Sequence, residues 1–492
     1  LQIPTKGLTI STDAITQTVM IGTVITVLSA ILPALRSGRV PPVAAMRDTA
    51  LDTVQKLTRR VTIGVVLILV GTGALVASMR GADVAVLGLG VLGVFAGILV
   101  IGPVLSRPVA RLLGKPIAAF RGVTGAMSQQ NAARNPKRTA RTAAPVLIGV
   151  ALVTAFTALA ASIKDEIRDS IGSSFRGDYA LSVNTQGFGG IPTSVTDQIS
   201  GLKEVDQATG VGFIAAKVGD ESPFVLVFNP KTADGLYDLS MVEGTQKGLT
   251  KNEILVEADK ALDKNLTIGS KISVTLIDGR STQLTVAGTY TDAYGNYALS
   301  RELFEGSATP LFDSFVYIKT AEGVSDQSAR AAISELSEDL GIGKLESRDE
   351  YIDSQAAQVD QFLALIYGLL FLSVIIAIVG IIITLLLSVF ERRREIGLLR
   401  AVGMTRSQVR TMVRWESVIT SLFGAVTGVV LGILTGIVIV VSLNDSGFSA
   451  FTLPIGNTLF ILIGAFIIGV IAAVFPAWRA TRTEIIAAIA ST

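Results

Sequence analysis

The stretch FLALIYGLLFLSVIIAIVGIIITLLLSVFERRREIGLLRAVG, residues 362–403, joins a long apolar run to a basic, patterned segment. Residues 362–390 contain no charged side chain, and about 20 apolar residues suffice to cross the hydrocarbon core of a bilayer. This run therefore predicts a transmembrane helix. Its excess length predicts that the helix tilts or continues outside the bilayer as a stalk.

The composition of the whole chain is typical of a membrane protein that carries at least one soluble domain. Of the 492 residues, 50% are hydrophobic and 17% are charged, whereas ordinary soluble domains have about a quarter charged residues. The mean hydropathy is +0.57. Seven apolar segments are predicted to span the membrane. They comprise residues 14–35, 61–79, 84–105, 143–162, 362–390, 417–443 and 458–475.

The distribution of charge predicts the orientation of these spans. Arginine and lysine concentrate after the first, third and fifth spans and in the tail, so the positive-inside rule places those segments in the cytoplasm. Residues 163–361 then lie outside, and they carry 31 acidic and 17 basic residues, a net charge of −14. An acidic outer domain and a basic inner face fit a bacterial plasma-membrane protein and not a nucleic-acid-binding protein.

The outer segment is predicted to be a mixed α/β domain on two stalk helices. Residues 271–277 and 283–287 alternate around Asp278-Gly279, which indicates a hairpin. Further strands are predicted at residues 178–184, 224–228 and 254–256, and an amphipathic helix at residues 326–340. The polar helical stretches 163–175 and 350–361 are predicted to be the stalks that enter spans four and five.

The ends of the first and seventh spans resemble each other. Both contain Pro-Ala-x-Arg-x-x-Arg, at residues 33–39 and 476–482. The composition that membrane helices share is the alternative explanation. The common register favours an internal repeat, in which spans four to seven form a second unit. The chain, which begins at Leu1, would then start at the last helix of a first unit within a longer gene product.

The segment after the fifth span is predicted to be an amphipathic helix at the cytoplasmic surface. Ile396, Leu399 and Val402 are spaced for one helix face, and Gly403 is expected to end the helix. Thr405 is expected to cap a following short helix, residues 407–414. Such a helix suits docking into a groove on a soluble partner. An ordinary positive-inside loop is the alternative, but such a loop requires only the arginines.

At this segment the chain resembles the FtsX-like, MacB-type ABC transporter permeases, in which a coupling segment joins the second and third helices of a four-helix unit. The resemblance covers residues 131–492 and, for a first unit, only residues 14–48. The other matching features are the lead-in Asn131, Arg134, Asn135, Pro136 and Arg138, the row Gly424-x-x-x-Gly428-x-x-x-Gly432 after Glu416, the closing Pro476-Ala-x-Arg479, and the outer-domain stretch from Ile254 to Val274.

The resemblance implies a set of site residues. Those expected to couple to the ATPase are Arg394, Glu395, Gly397, Leu398, Arg400, Ala401, Gly403 and Arg406. Glycines four apart let a neighbouring helix approach, so Gly424, Gly428 and Gly432 are predicted to pack against one. Glu416, at the membrane boundary, requires a partner for its charge. Pro476 and Arg479 are, with Glu416, candidates for a structural or functional role.

The resemblance also implies the domain organisation. Residues 1–48 would form the last helix of a truncated first FtsX-like unit with its cytoplasmic tail, and residues 49–130 two linking transmembrane helices with a basic cytoplasmic loop. Residues 131–175 would form the first helix and stalk of the second unit, 176–350 the extracytoplasmic MacB-like core domain, and 351–492 the second stalk and the last three transmembrane helices with the coupling helix.

What the sequence lacks restricts its chemistry. It contains no histidine and no cysteine, and no Gly-x-x-x-x-Gly-Lys-Ser/Thr loop that could cradle a phosphate. We therefore predict no catalytic residue, no metal site and no cofactor in this chain, with ATP and Mg²⁺ bound by a partner. The spans contain almost no ionisable residue, which argues against an ion-coupled carrier.

The sequence is compatible with three hypotheses for the function of this chain. The first is a permease that couples hydrolysis by separate ATPase subunits, two in the expected assembly, to export or extraction of a peptide, antibiotic, lipid or lipoprotein outside the membrane. The second is a signalling scaffold that controls a cell-wall hydrolase or a sensor kinase. The third, an enzyme in the outer domain, lacks a nucleophile motif. The expected partners are the ATPase, the bilayer and an extracytoplasmic substrate or accessory protein, without nucleic acid.

Overall fold

The computed structural model of the chain describes residues 12–37, 54–80, 84–183, 190–291, 295–306, 310–340, 343–442 and 451–481. The chain divides into two units, of which the smaller comprises residues 1–59 with 185–189. Within the described part of that smaller unit, α1 (Thr12–Ser37) is a helix. All packing described below belongs to the larger unit.

In chain order, the described helices after α1 are α2 (Val54–Ser78), α3 (Val84–Arg134), α4 (Pro136–Ser174), α5 (Thr193–Ser200), α6 (Pro230–Ala233), α7 (Ala258–Asp263), α8 (Asp326–Asp339), α9 (Arg348–Glu391), α10 (Arg393–Ala401), α11 (Arg406–Ser442) and α12 (Ile455–Thr481). Among the described residues, six helices are long and apolar enough to cross a membrane: α2, α3, α4, α9, α11 and α12.

The predicted fold class is therefore confirmed, and six of the seven predicted spans correspond to long apolar helices among the described residues. The first predicted span corresponds to α1, a helix of 26 residues of which the described apolar part is Thr16–Ile31. The predicted basic loop after the third span is also different, because α3 continues through it to Arg134. The alternation of spans also predicts that the turn at residues 80–83 and the loop at residues 444–445 face the outside, but residues 81–83 and 444–445 lie outside the described part of the chain.

Two spans continue into the outer domain as predicted stalks. α4 has 39 residues and α9 has 44, so at about 1.5 Å per residue each is about twice as long as the hydrocarbon core is thick. Ion pairs join the two stalks: Lys164 Nζ lies 2.5 Å from Asp360 Oδ1, and Arg168 Nη2 lies 3.1 Å from Asp353 Oδ1. The stalks therefore run side by side away from the membrane.

The outer domain is built on a mixed sheet. The described strands of the domain are β1 (Tyr179–Ser182), β2 (Ile191–Pro192), β3 (Val205–Ala215), β4 (Lys217–Val218), β5 (Phe224–Phe228), β6 (Met241–Glu243), β7 (Glu253–Glu257), β8 (Lys271–Thr275), β9 (Ser281–Tyr290), β10 (Tyr297–Ser300), β11 (Phe312–Asp313), β12 (Phe315–Thr320) and β13 (Lys344–Ser347). Of these, β2 and β11 pair with each other in a separate two-stranded sheet. In the described residues the main sheet has the order β13-β1-β12-β3-β5-β10-β7-β9-β8-β4, and β6 pairs with β9.

Several local predictions in this domain are confirmed. β5 has the predicted limits, and β8 and β9 form the predicted antiparallel hairpin, in which Thr275 is opposite Ser281. Gly279 in the turn has a φ of +83°, a conformation that glycine adopts without steric cost. The amphipathic helix α8 begins at Asp326 as predicted. The local turn and alternation signals thus sufficed for these elements.

An aromatic core joins the domain to both stalks. Phe175, at the end of α4, stacks on Tyr317 of β12 with ring centroids 4.4 Å apart, and it meets Tyr351 of α9 edge-on at 6.1 Å. Arg348, the first residue of α9, donates from Nε to the carbonyl oxygen of Phe175 at 2.9 Å and from Nη2 to that of Gly172 at 2.5 Å. A displacement of either stalk is therefore transmitted to the sheet.

Candidate functional site: the cytoplasmic coupling segment

The coupling segment is a short helix, α10, set between two transmembrane helices. Arg392 has non-helical angles that separate α9 from α10, and Gly403 ends the segment with a φ of +110°. Thr405 and Gln408 then form a reciprocal cap, because Gln408 N donates to Thr405 Oγ1 at 3.2 Å and Thr405 N donates to Gln408 Oε1 at 2.8 Å.

The helix that Thr405 caps is longer than predicted. Residues 407–414 are not a separate helix, since α11 continues from Arg406 through the membrane to Ser442. No glycine or proline occurs between Arg406 and Ser417 to interrupt it. A force applied at the start of α11 therefore acts directly on a transmembrane helix.

One face of α10 is buried against the ends of three long helices. Ile396 is almost fully buried and packs in a cluster with Val389 of α9, Val409 of α11 and Ala477 of α12. Gly397 beside it is also buried, and Arg400 Nη1 donates to the carbonyl oxygen of Thr481 at 3.5 Å. The coupling segment is thus fixed to the membrane-spanning bundle.

The prediction that Ile396, Leu399 and Val402 share one helix face is wrong for Val402. Leu399 is half-buried, but Val402 is 89% exposed. Each three-residue step falls about 60° short of a full helical turn, so two such steps place Val402 about 120° away from Ile396. Val402 is also the residue at which the helix ends.

The opposite face presents apolar side chains among basic ones. Leu398 is 50% exposed, and Arg394, Ala401 and Arg406 are exposed together with Val402. We call these five residues the coupling surface. Gly403 is exposed beside it. An apolar centre with basic neighbours has the composition of a docking site for a soluble protein.

A chain of four charged side chains ties this segment to the bundle. Glu416 of α11 is buried; Arg138 Nη2 donates to its Oε1 at 3.0 Å, and Arg392 Nη1 donates to its Oε2 at 3.2 Å. Arg392 also donates from Nε and Nη2 to the two carboxylate oxygens of Glu395, at 2.7 and 2.9 Å. We call Arg138, Glu416, Arg392 and Glu395 the ion chain.

The charges of the ion chain balance, with two arginines and two carboxylates. The side-chain hydrogen bond from Arg392 lowers the pKa of Glu395, so this carboxylate is ionised at neutral pH. Since Arg138 lies in α4, Glu416 in α11 and Glu395 in α10, the ion chain connects three helices at one depth. The buried carboxylate of Glu416 is tolerated only while its charge remains paired.

The ion chain was only partly visible in the sequence. Glu416 was recognised as needing a partner, but 278 residues separate it from Arg138. Arg138 was noted only as part of a basic lead-in, and no role was predicted for Arg392. Neither spacing nor local pattern identifies such a pair. The one available signal was the isolated carboxylate at a membrane boundary.

The glycine row lies against α4. A Cβ atom built on Gly424, Gly428 or Gly432 would lie 2.6–2.7 Å from a carbonyl oxygen of α4, those of Ala143, Leu147 and Ala151 respectively. α11 and α4 therefore approach closely over at least two turns. Of the two remaining candidates, Pro476 is buried within α12 and Arg479 is exposed.

The membrane part with the coupling segment and the outer domain each match a known protein family. The FtsX-like permease C-terminal family matches residues 367–485, which contain the coupling segment. The MacB-like periplasmic core domain family matches residues 139–336, which contain most of the outer sheet.

Individual relatives agree with these matches. An uncharacterized ABC transporter permease protein of Mycobacterium tuberculosis is 22% identical over 99% of this chain and 59% of its own length. The pyoverdine export ATP-binding/permease protein PvdT of Pseudomonas syringae pv. tomato is 27% identical over 38% of this chain and 28% of its own length. The chain thus spans 59% of the first relative and 28% of the second, less than two thirds of either.

A solved structure also resembles the outer part of the chain. The periplasmic region of MacB from Actinobacillus actinomycetemcomitans aligns with 37% of this chain and 93% of that structure, with 15% identity and a TM-score of 0.28.

The six apolar helices, the extracytoplasmic α/β domain and the two family matches define a multi-pass membrane protein of the ABC permease class. Residues 367–485 thus match the FtsX-like permease C-terminal family and residues 139–336 the MacB-like periplasmic core domain family, and the relative from Mycobacterium tuberculosis is named as an ABC transporter permease.

Proposed function

We propose that this chain is the permease subunit of an ABC transporter whose ATPase is a separate subunit that binds ATP and Mg²⁺ and docks on the coupling surface. The observation that carries the proposal is the two-sided environment of α10. Its inner face is buried against α9, α11 and α12, while Leu398 and Val402 on its outer side are exposed. A helix that is exposed on one side and fixed on the other can transfer a push.

The ion chain supplies the first step of the path for that push. Movement of α10 displaces Glu395 and Arg392, and through Glu416 it displaces Arg138 at the start of α4. The helices α4 and α9 therefore move together at their cytoplasmic ends. Coupling through a packed, charged contact of this kind requires two discrete arrangements of the helices.

The stalks supply the second step. α4 and α9 leave the membrane as continuous helices, joined by Lys164–Asp360 and Arg168–Asp353, and they end in the aromatic core of the outer domain. We propose that hydrolysis in the cytoplasm moves the outer domain, where the work is done. We propose that this work is the export or extraction of a peptide, antibiotic, lipid or lipoprotein; one relative is named for pyoverdine export.

Val402→Asp tests the docking surface. Val402 is exposed, so we expect aspartate at this position to leave the fold of the chain intact while placing a negative charge on the coupling surface. We expect about thirtyfold weaker association with the ATPase, since a hot-spot side chain contributes about 2 kcal/mol or more. Co-purification and substrate-stimulated ATP hydrolysis in reconstituted vesicles measure the effect.

The matched control is Leu262→Asp, at an apolar residue of α7 that is 76% exposed in the outer domain. It should leave association with the ATPase unchanged. Equal association for Val402→Asp and the native chain would contradict the proposal. Gly403→Asp and charge reversal at Arg400 should also uncouple hydrolysis from transport, but they additionally alter the helix end and the contact with Thr481.

A further inference from the structure

A second exposed surface on the cytoplasmic side has no part in the proposed coupling. Gly122 has a φ of +57° and separates α3 into two helical arms. The arms fold back on each other, because Gln129 Nε2 donates to the carbonyl oxygen of Arg111 at 2.7 Å and Gly125 approaches Ile117. We call residues 105–134 the basic hairpin.

The first arm of the basic hairpin runs across α11 and not along it. At its start, Ser106 Oγ donates to the carbonyl oxygen of Pro136 at 3.1 Å, two residues from the Arg138 that pairs with Glu416. At its end, the Arg121 guanidinium lies 5.7 Å from the ring centre of Trp415. A helix advances about 22 Å over these fifteen residues. Because both ends of the arm lie near Glu416, the whole arm lies at the level of Glu416 along the membrane normal.

The level of Glu416, at which the first arm lies, corresponds to the cytoplasmic boundary of the bilayer. The charged groups Glu416, Arg138 and Arg392 mark the level at which three spans end. The basic hairpin is also attached to the bilayer through the chain itself, since a span precedes it in α3 and another follows it in α4. The first arm therefore lies along the membrane surface.

The first arm has three distinct faces. Ala110 and Ile117 are buried, in one cluster with Val418 and Ile419 of α11. Two further faces are exposed. The basic face carries Arg107, Arg111 and Lys115, each four residues apart, and the apolar face carries Leu105, Leu112 and Phe120, seven and eight residues apart.

The apolar face and the tip are unusually exposed for large side chains. Phe120 is 87% exposed, and Leu112 and Val123 are largely exposed as well. No acidic residue occurs between Asp83 and Asp165, whereas eight basic residues lie between Arg107 and Arg141. Exposed apolar residues beside a basic face are the pattern of a helix that lies in the interface of an anionic membrane.

We propose that the basic hairpin is an interfacial anchor that binds anionic phospholipid of the cytoplasmic leaflet. Leu112, Phe120 and Val123 enter the acyl region, and the basic face contacts the lipid phosphates. The packing of Ala110 and Ile117 on α11 then sets the height of α11 and of the coupling segment relative to the bilayer. The proposal rests on the hairpin's own contacts and holds whether or not an ATPase docks on α10.

Spin labels can test this on the full chain, because the chain has no cysteine. Phe120→Cys and the matched control Val402→Cys, at two equally exposed positions, would each carry one nitroxide. The purified chain is placed in nanodiscs of phosphatidylcholine with phosphatidylglycerol. We expect about tenfold fewer collisions with a water-soluble nickel chelate at position 120 than at position 402, and more collisions with oxygen.

The dependence on lipid charge completes the test. In pure phosphatidylcholine, the label at position 120 should be less protected from the water-soluble chelate. The same loss is expected for Arg107→Gln, Arg111→Gln or Lys115→Gln, because each basic side chain near an anionic surface strengthens membrane partitioning about fivefold. Equal chelate access at 120 and 402 in anionic nanodiscs would overturn the proposal. The proposal would also be overturned if protection of position 120 were the same in anionic and neutral nanodiscs, or if it required an added protein partner.

Discussion

Glu416→Ala is expected to destabilise the membrane bundle more than any other single substitution in the ion chain. It leaves Arg138 and Arg392 without the carboxylate that both of them contact at the end of the bundle. Removing one partner of a buried ion pair costs about 3–5 kcal/mol, because the remaining charge keeps its desolvation penalty. The thermal unfolding of detergent-solubilised protein, with the amount inserted in membranes, measures this loss.

The control is Glu395→Gln in the same ion chain. The Glu395 side chain is half-exposed, and Arg392 keeps Glu416 after the substitution. An ion pair that faces solvent contributes about 1 kcal/mol or less to the free energy of unfolding. If Glu395→Gln reduced stability as much as Glu416→Ala, the distinction between a buried and a peripheral member of the ion chain would be wrong. We also expect Glu416→Ala to uncouple any remaining ATP hydrolysis from transport.

Gly428→Ala should destabilise the contact between α4 and α11, and Gly428→Leu should prevent its formation. A Cβ atom at Gly428 would lie 2.7 Å from the carbonyl oxygen of Leu147 and 3.0 Å from the Cβ of Val150. Backbone atoms cannot yield as a flexible side chain can, so the helices must separate. Overpacking of this kind costs about 1–3 kcal/mol for a small addition and more for a large one.

Gly149→Ala is the matched substitution, since Gly149 lies in α4 and its added Cβ would have nothing within 4 Å. Alanine there should stabilise the helix by about 0.5–1 kcal/mol, because glycine loses more conformational freedom on folding. The two alanine variants should therefore shift the unfolding temperature in opposite directions. An unchanged or higher unfolding temperature for Gly428→Ala would show that the glycine row is not a close helix contact.

Local features of the fold were predictable because their causes are local. The apolar runs, the turn at Asp278-Gly279 and the cap at Thr405 each depend on residues that are neighbours in sequence. The glycine row was predictable in kind, since spacing by four places the glycines on one face, but its partner α4 was not. Nothing in residues 424–432 specifies residues 143–151.

Two features escaped prediction for definite physical reasons. The ion chain depends on contacts between α4, α10 and α11 that only the folded bundle creates. The concentration of basic residues after the third span predicts a cytoplasmic loop there, whereas α3 continues to Arg134 with one reversal at Gly122. The error at Val402 has another origin, since spacing by three drifts around the helix and cannot hold three residues on one face.

The central claim is that a separate ATPase docks on the coupling surface, and a photo-crosslinker at position 402 tests it most directly. The crosslinking amino acid would replace Val402 in the native cell and, as a control, Leu262 in the outer domain. We predict that light links position 402, but not 262, to a protein with a Gly-x-x-x-x-Gly-Lys-Ser/Thr loop. Adducts at 402 that contain no nucleotide-binding protein, or none at all, would contradict the account.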